Sequence, residues 1–124
     1  MEISRAKSDG YTSLSEADIR RLKAEAAVYF KEKCRYYSVL MGVDYRNVKI
    51  TSAKRRFGSC SSNGNICFSY FLMLYPEKAR EYVVIHELAH RQQMNHSELF
   101  YKIVSKYMPD YKSAMAQLKT VPKI

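Results

Sequence analysis

The sequence predicts an α+β fold, a single domain with a long first helix, a small β-sheet and then a run of helices. Three observations predict it. Apolar residues recur at helical spacing between Leu22 and Leu40. Two short stretches, around Val48 and Ile66, carry the β-branched and alternating character of strands. A further helical pattern opens at Pro76 and is continued by shorter ones. At 124 residues the chain is just large enough for one core without staples. Its 47% hydrophobic and 27% charged residues place it among globular chains rather than disordered ones.

In chain order, residues 1–12 are polar and read as a flexible terminus, and the domain runs from 13 to 124. A helix is expected from about Leu14 to Met41, with Ser13 and Glu16 at the spacing of a capping box. Its apolar stripe is Leu22, Ala26, Tyr29, Phe30, Cys34, Tyr37 and Leu40, and Gly42 supplies the stop. Val48 to Thr51 reads as a short strand. Residues 55–65, rich in Gly and Ser with Asn63-Gly64 as the turn signal, read as a loop. Ile66, Phe68 and Tyr70 alternate with Cys67 and Ser69 as a second strand, one that offers an edge for an added strand. Pro76 and Glu77 suit the first turn of a helix running to about Gln93. Two shorter helices, about 97–108 and 110–119, are divided by Pro109.

The net charge of +9 is uneven. Residues 43–75 hold five basic groups against one acid, Asp44, and three of the five are Lys54, Arg55 and Arg56 in a row. Such a field suits a polyanion such as nucleic acid, acidic peptides or plain solubility. Within that loop, Lys54 and Arg55 are expected to face solvent and Arg56 to point inward to loop carbonyls. No apolar run nears the roughly 18 residues that span a bilayer, so no membrane partner is expected. The opening residues lack the apolar stretch of a signal peptide, which points to the cytoplasm. Cys34, Cys60 and Cys67 are odd in number and lack CxxC spacing, as expected of reduced thiols.

The chemistry concentrates in His86-Glu87-Leu88-Ala89-His90, an HExxH pattern. On a helix, positions i and i+4 share a face, so both imidazoles can meet one cation. Two neutral nitrogens hold Zn²⁺ without cancelling its charge, and the ion lowers the pKa of a bound water towards about 7. Glu87, about 100° around the helix from His86, can then act as general base without ligating the metal. A catalytic zinc usually has three protein ligands. His96 is the remaining histidine, six residues beyond His90, and Glu98 is the rival third ligand. The bland alternative is a histidine-bearing surface helix. It sits poorly with Tyr82-Val83-Val84-Ile85, which should carry the motif into the interior, where polar groups need partners.

Beyond that motif, the chain from Ile50 to Leu118 resembles the YgjP-like metallopeptidase domain, related to SprT-like zinc peptidases. The resemblance rests on Arg56-Phe57-Gly58-Ser59-Cys60-Ser61, Asn63-Gly64-Asn65, the stretch from Tyr82 to His90, Met94-Asn95-His96-Ser97, and Tyr107-Met108-Pro109-Asp110-Tyr111. It implies a zincin-like domain with His86, His90 and His96 as zinc ligands and Glu87 as catalytic base. Family members commonly carry Trp where this chain has Phe57, which keeps the aromatic body and loses an indole donor. The leading expectation is a zinc-dependent metallopeptidase acting on an extended polypeptide. The same protease working at nucleic acid, and a non-catalytic zinc-stabilised interaction module, stand as alternatives. A zinc nucleobase deaminase is set aside, since the PCxxC that its chemistry needs is absent.

Overall fold

The computed structural model describes residues 2–4 and 14–120 of the chain. Its first helix, α1 (Glu16–Met41), begins two residues later than the sequence suggests. The capping box is closed by Ser15 and Asp18: each side chain accepts a hydrogen bond from the other's backbone N–H, both at 3.1 Å. Ser13, the expected cap, lies outside the described residues. The helix ends as expected, with Gly42 in the left-handed region at φ 69°. The buried stripe is Leu22, Ala26, Phe30, Cys34, Tyr37 and Met41. Tyr29 is only half-buried and Leu40 is exposed, so Met41 closes the stripe in their place.

Four strands form one sheet in the order β1 (Glu2–Ser4), β3 (Arg56–Cys60), β4 (Asn65–Ser69), β2 (Asn47–Thr51). The strand at Glu2–Ser4 falls within residues expected to fray; it is fixed by antiparallel pairing with β3, Glu2 opposite Ser59 and Ile3 opposite Gly58. The rest of the expected flexible segment lies outside the described residues. Strand β3 is a second departure, since its Gly and Ser read as loop. Phe57, Gly58 and Cys60 are buried, and pairing with β4 supplies the ladder that outweighs their weak strand preference. A third correction concerns β4. It runs antiparallel to β3 and parallel to β2, so it lies inside the sheet and offers no edge. Ser69 ends it by accepting from the Phe71 N–H, and Tyr70 enters a short 3-10 helix, Tyr70–Leu74, instead of extending the strand.

Helix α2 (Glu77–Ala89) is buried without a break from Tyr82 to Ala89. It and α1 cover the same face of the sheet. Phe30 of α1 stacks on Phe68 at 4.4 Å between ring centroids. A Cβ added at Gly58, the residue opposite Phe68, would stand 3.1 Å from Val83 of α2. The helix stops short of Gln93, because the N–H groups of His90 and Arg91 bond three residues back to Glu87 and Leu88. Helices α3 (Glu98–Tyr107) and α4 (Tyr111–Leu118) follow close to their expected bounds, and α3 is capped by Ser97. Among the described residues, no helix is long and apolar enough to cross a membrane.

Lys54, Arg55 and Arg56 are all exposed, so the inward placement expected of Arg56 fails. Arg91 ties the loop down. Its Nε donates to the Asp44 carbonyl at 3.0 Å and its Nη1 to the Ser62 carbonyl at 2.9 Å. One guanidinium thus ties the β3–β4 turn and the approach to β2 to the end of α2. Gly64, at φ 90°, makes room for it: a Cβ there would lie 3.1 Å from the Arg91 guanidinium carbon. Arg91→Ala is expected to destabilise the protein by about 1 kcal/mol through the loss of these hydrogen bonds, whose carbonyls water can reach. Urea unfolding compared with Arg56→Ala, expected to cost less, is the check.

Candidate metal centre

The buried run of α2 carries His86, Glu87 and His90 into the interior, where they are 3%, 0% and 1% exposed. His90 sits at the helix's C-terminal boundary. The chain then turns through residues 91–97, and His96 comes back over the first two rings from the turn before α3. The centroids of His86 and His96 are 5.0 Å apart, and those of His90 and His96 4.8 Å. The three histidines offer ligand atoms that all lie within 4.8 Å of one another. Of the two candidates for third member, the fold brings in His96. Glu98 is the exposed first residue of α3 and is no part of the cluster.

Hydrogen bonding decides which nitrogens are available. The Nδ1 of His90 is 3.0 Å from the Gln93 carbonyl oxygen, which can only accept, so the proton sits on Nδ1. Its Nε2 is left with a bare lone pair, buried and without a hydrogen-bond partner. The Nδ1 of His86 meets the Tyr82 hydroxyl at 3.2 Å, and its Nε2 faces the Nε2 of His96 at 3.1 Å. Two ring nitrogens at that distance, beside an orphaned third, form a donor set that a single cation satisfies. The neutral nitrogen donors and their number fit a divalent metal such as zinc.

Phe100 of α3 holds the set together. Its ring, fully buried, stacks on His90 at 4.5 Å and meets His86 and His96 edge-on at 4.9 and 5.1 Å. Neither Phe100 nor Tyr82 stands out in the sequence as a site residue. Both were visible only as apolar-periodic positions, and a ring that packs a core looks the same as one that aligns ligands.

Glu87 lies on the sheet side of α2. A Cβ at Gly58 would come within 3.2 Å of its Oε2, so a glycine on β3 is what leaves space for the carboxylate. Cys34 and Cys60 are buried close by, and burial pushes their thiols up to about 12 and about 11. Both therefore stay protonated and are poor nucleophiles near neutral pH.

Burial acts on the histidines in the opposite direction. Desolvation, reinforced by the neighbouring imidazoles, holds His86 down at about 2; desolvation likewise holds His90 down at about 4 and His96 below its ordinary value. All three are thus neutral near pH 7, as ligation requires. Unfolded imidazoles titrate near about 6.5, so below that pH the unfolded chain binds more protons than the folded one. The metal-free protein should hold its full stability above about pH 6.5 and lose it progressively as the pH falls towards 4. Urea midpoints at pH 7.5 and 5.5 measure this; an unchanged midpoint would contradict it.

The family model described as "YgjP-like, metallopeptidase domain" matches residues 3–121. Among solved structures, the chain is similar to the metallopeptidase zymogen of Pyrococcus abyssi abylysin, at 23% identity and a TM-score of 0.59. That likeness covers 74% of this chain and 99% of the other, and at such identity it speaks for the fold. No curated protein matches the chain.

Proposed function

Because the chain belongs to the YgjP-like metallopeptidase family, we propose that it is a zinc-dependent peptidase with His86, His90 and His96 as ligands and Glu87 as general base. The observation that carries this reading is the buried, unpartnered Nε2 of His90, grouped with the imidazole of His86 on the same helix and that of His96 from a separate segment. A zinc ion held there supplies Lewis-acid chemistry and brings the pKa of a coordinated water down to about 7.

The chain's own groups do the rest. Gln93, through its carbonyl, and Tyr82, through its hydroxyl, set the ring orientations of His90 and His86. Phe100 and the buried face of α2 keep bulk water away from those rings. Glu87 takes the proton of the attacking water and delivers it to the amine nitrogen as the peptide bond breaks. Its place in the first turn past Val83, packed against β3, keeps the carboxylate from swinging out to solvent.

The substrate in this reading is a polypeptide. The three free cysteines support a reducing, cytoplasmic setting. A second reading, the same protease working at nucleic acid, is favoured by one observation: Lys54, Arg55 and Arg56 are all exposed. Its test is salt, because phosphate-driven binding weakens steeply with ionic strength. For the main reading, the test is metal analysis of the purified protein beside cleavage of a peptide library. About one zinc per chain with hydrolysis lost on chelation is expected. Zinc without any cleavage would leave only a zinc-stabilised interaction module.

A further inference from the structure

Helices α3 and α4 meet through tyrosines. The Tyr101 ring of α3 stacks on Tyr111 of α4 at 5.6 Å, and Tyr111 stacks on Tyr82 at 6.4 Å. Tyr101 also stacks on His96 at 6.3 Å. A continuous aromatic row therefore leads away from the histidine cluster. Along it opens a cavity of about 320 Å³, bounded by Tyr101, Tyr111, Lys112, Met115, Ala116 and Lys119.

That volume is at the small end of ligand pockets, about 300–1,000 Å³, and suits one side chain better than a whole small molecule. The walls are of two kinds. Tyr101, Tyr111 and Met115 are the aromatic and thioether residues of the lining, suited to an apolar stem, whereas Lys112 and Lys119 are its cationic residues. Among the described residues no carboxylate lines the cavity, and α4 carries no acidic residue. Asp110, just before the helix, is engaged by Lys78. The ordinary account of such lysines is a solvated helix face. It leaves unexplained why both cationic residues border one largely apolar cavity, with no acid beside them among the described residues, next to the proposed centre.

We propose that this cavity receives a glutamate side chain of the polypeptide substrate, making the protein selective for acidic sequences. The inference rests on the peptidase reading, since the cavity meets the centre through Tyr101, which stacks on His96, and through Tyr111, which stacks on Tyr82. The two methylenes of glutamate lie along the tyrosine rings, and its carboxylate meets Lys112 and Lys119. Aspartate, one methylene shorter, fills the same place less well.

The test uses zinc-loaded Glu87→Gln protein, so that complexes form without turnover. Fluorescently labelled hexapeptide mixtures with amidated ends, each fixing Glu, Gln or Lys at one position, are titrated by polarisation. At one position Glu should bind about fivefold more tightly than Gln, the scale of one well-placed exposed ion pair. Adding Lys112→Glu and Lys119→Glu should turn that preference towards Lys, with zinc content and melting temperature unchanged. If the double charge reversal fails to fold, Lys112→Gln with Lys119→Gln should still erase the Glu preference. A Glu preference that survives either pair, or that appears only in peptides with a free terminal carboxylate, overturns the proposal. Cleavage of the same mixtures by the unsubstituted protein separates the two readings. Cleavage without charge preference sinks the pocket; binding preference without cleavage sinks the peptidase.

Discussion

Replacing Glu87 by Gln should lower peptide hydrolysis by about 10²–10⁴-fold, the range of a positioned general base, while metal and fold remain. Gln has nearly the shape of Glu, so the space beside Gly58 stays filled and no cavity opens. The amide cannot take a proton, and that is the one property removed. Stability should hold or rise, because the substitution exchanges a fully buried acid for a neutral group. The zinc-to-protein ratio, a thermal melt and cleavage of a peptide library read the three parts separately. Loss of metal would make Glu87 a ligand instead of a base. Undiminished cleavage would assign the proton transfer to another group.

Much of this arrangement was legible in the sequence, for a physical reason. The i, i+4 spacing of His86 and His90 survives in any helix, and the apolar run before them fixes that helix as buried. The position of His96 was harder, because a six-residue gap can close in several ways. What closes it is the early end of α2 at Ala89, followed by bonds reaching three residues back, which no periodicity announces. Strand β3 was illegible for a related reason. Gly58 and Ser59 look like turn residues, yet the glycine is there because α2 and the Glu87 carboxylate come within van der Waals reach of the strand. Sequence pattern likewise singled out Arg56 for the loop, although Arg91, distant along the chain, makes the contacts. In each case a local signal was read correctly as unusual, and the cause lay across the fold.

The second large effect is the response to chelation, and it separates the histidines from one another. Metal bound to the folded state alone contributes about 2.7 kcal/mol at a hundredfold excess over its dissociation constant. For a domain of this size that is roughly 10 °C in melting temperature. Chelator should lower the parent's melting temperature by about that much and hardly move His90→Ala or His86→Ala. Those two variants also lose core packing: the His90 ring stacks on Phe100, and truncating it leaves a space in a region with no solvent access. Part of that cost is offset, since removing His90 also removes a buried nitrogen that lacks a partner in the metal-free protein. His96 is exposed, so His96→Ala should lose the metal while leaving the metal-free stability close to the parent's. It is therefore the cleanest variant, with metal loss uncoupled from packing loss. A chelator shift in His96→Ala equal to the parent's would mean that the third ligand lies elsewhere. Glu98, at the start of α3, would then be the first residue to replace.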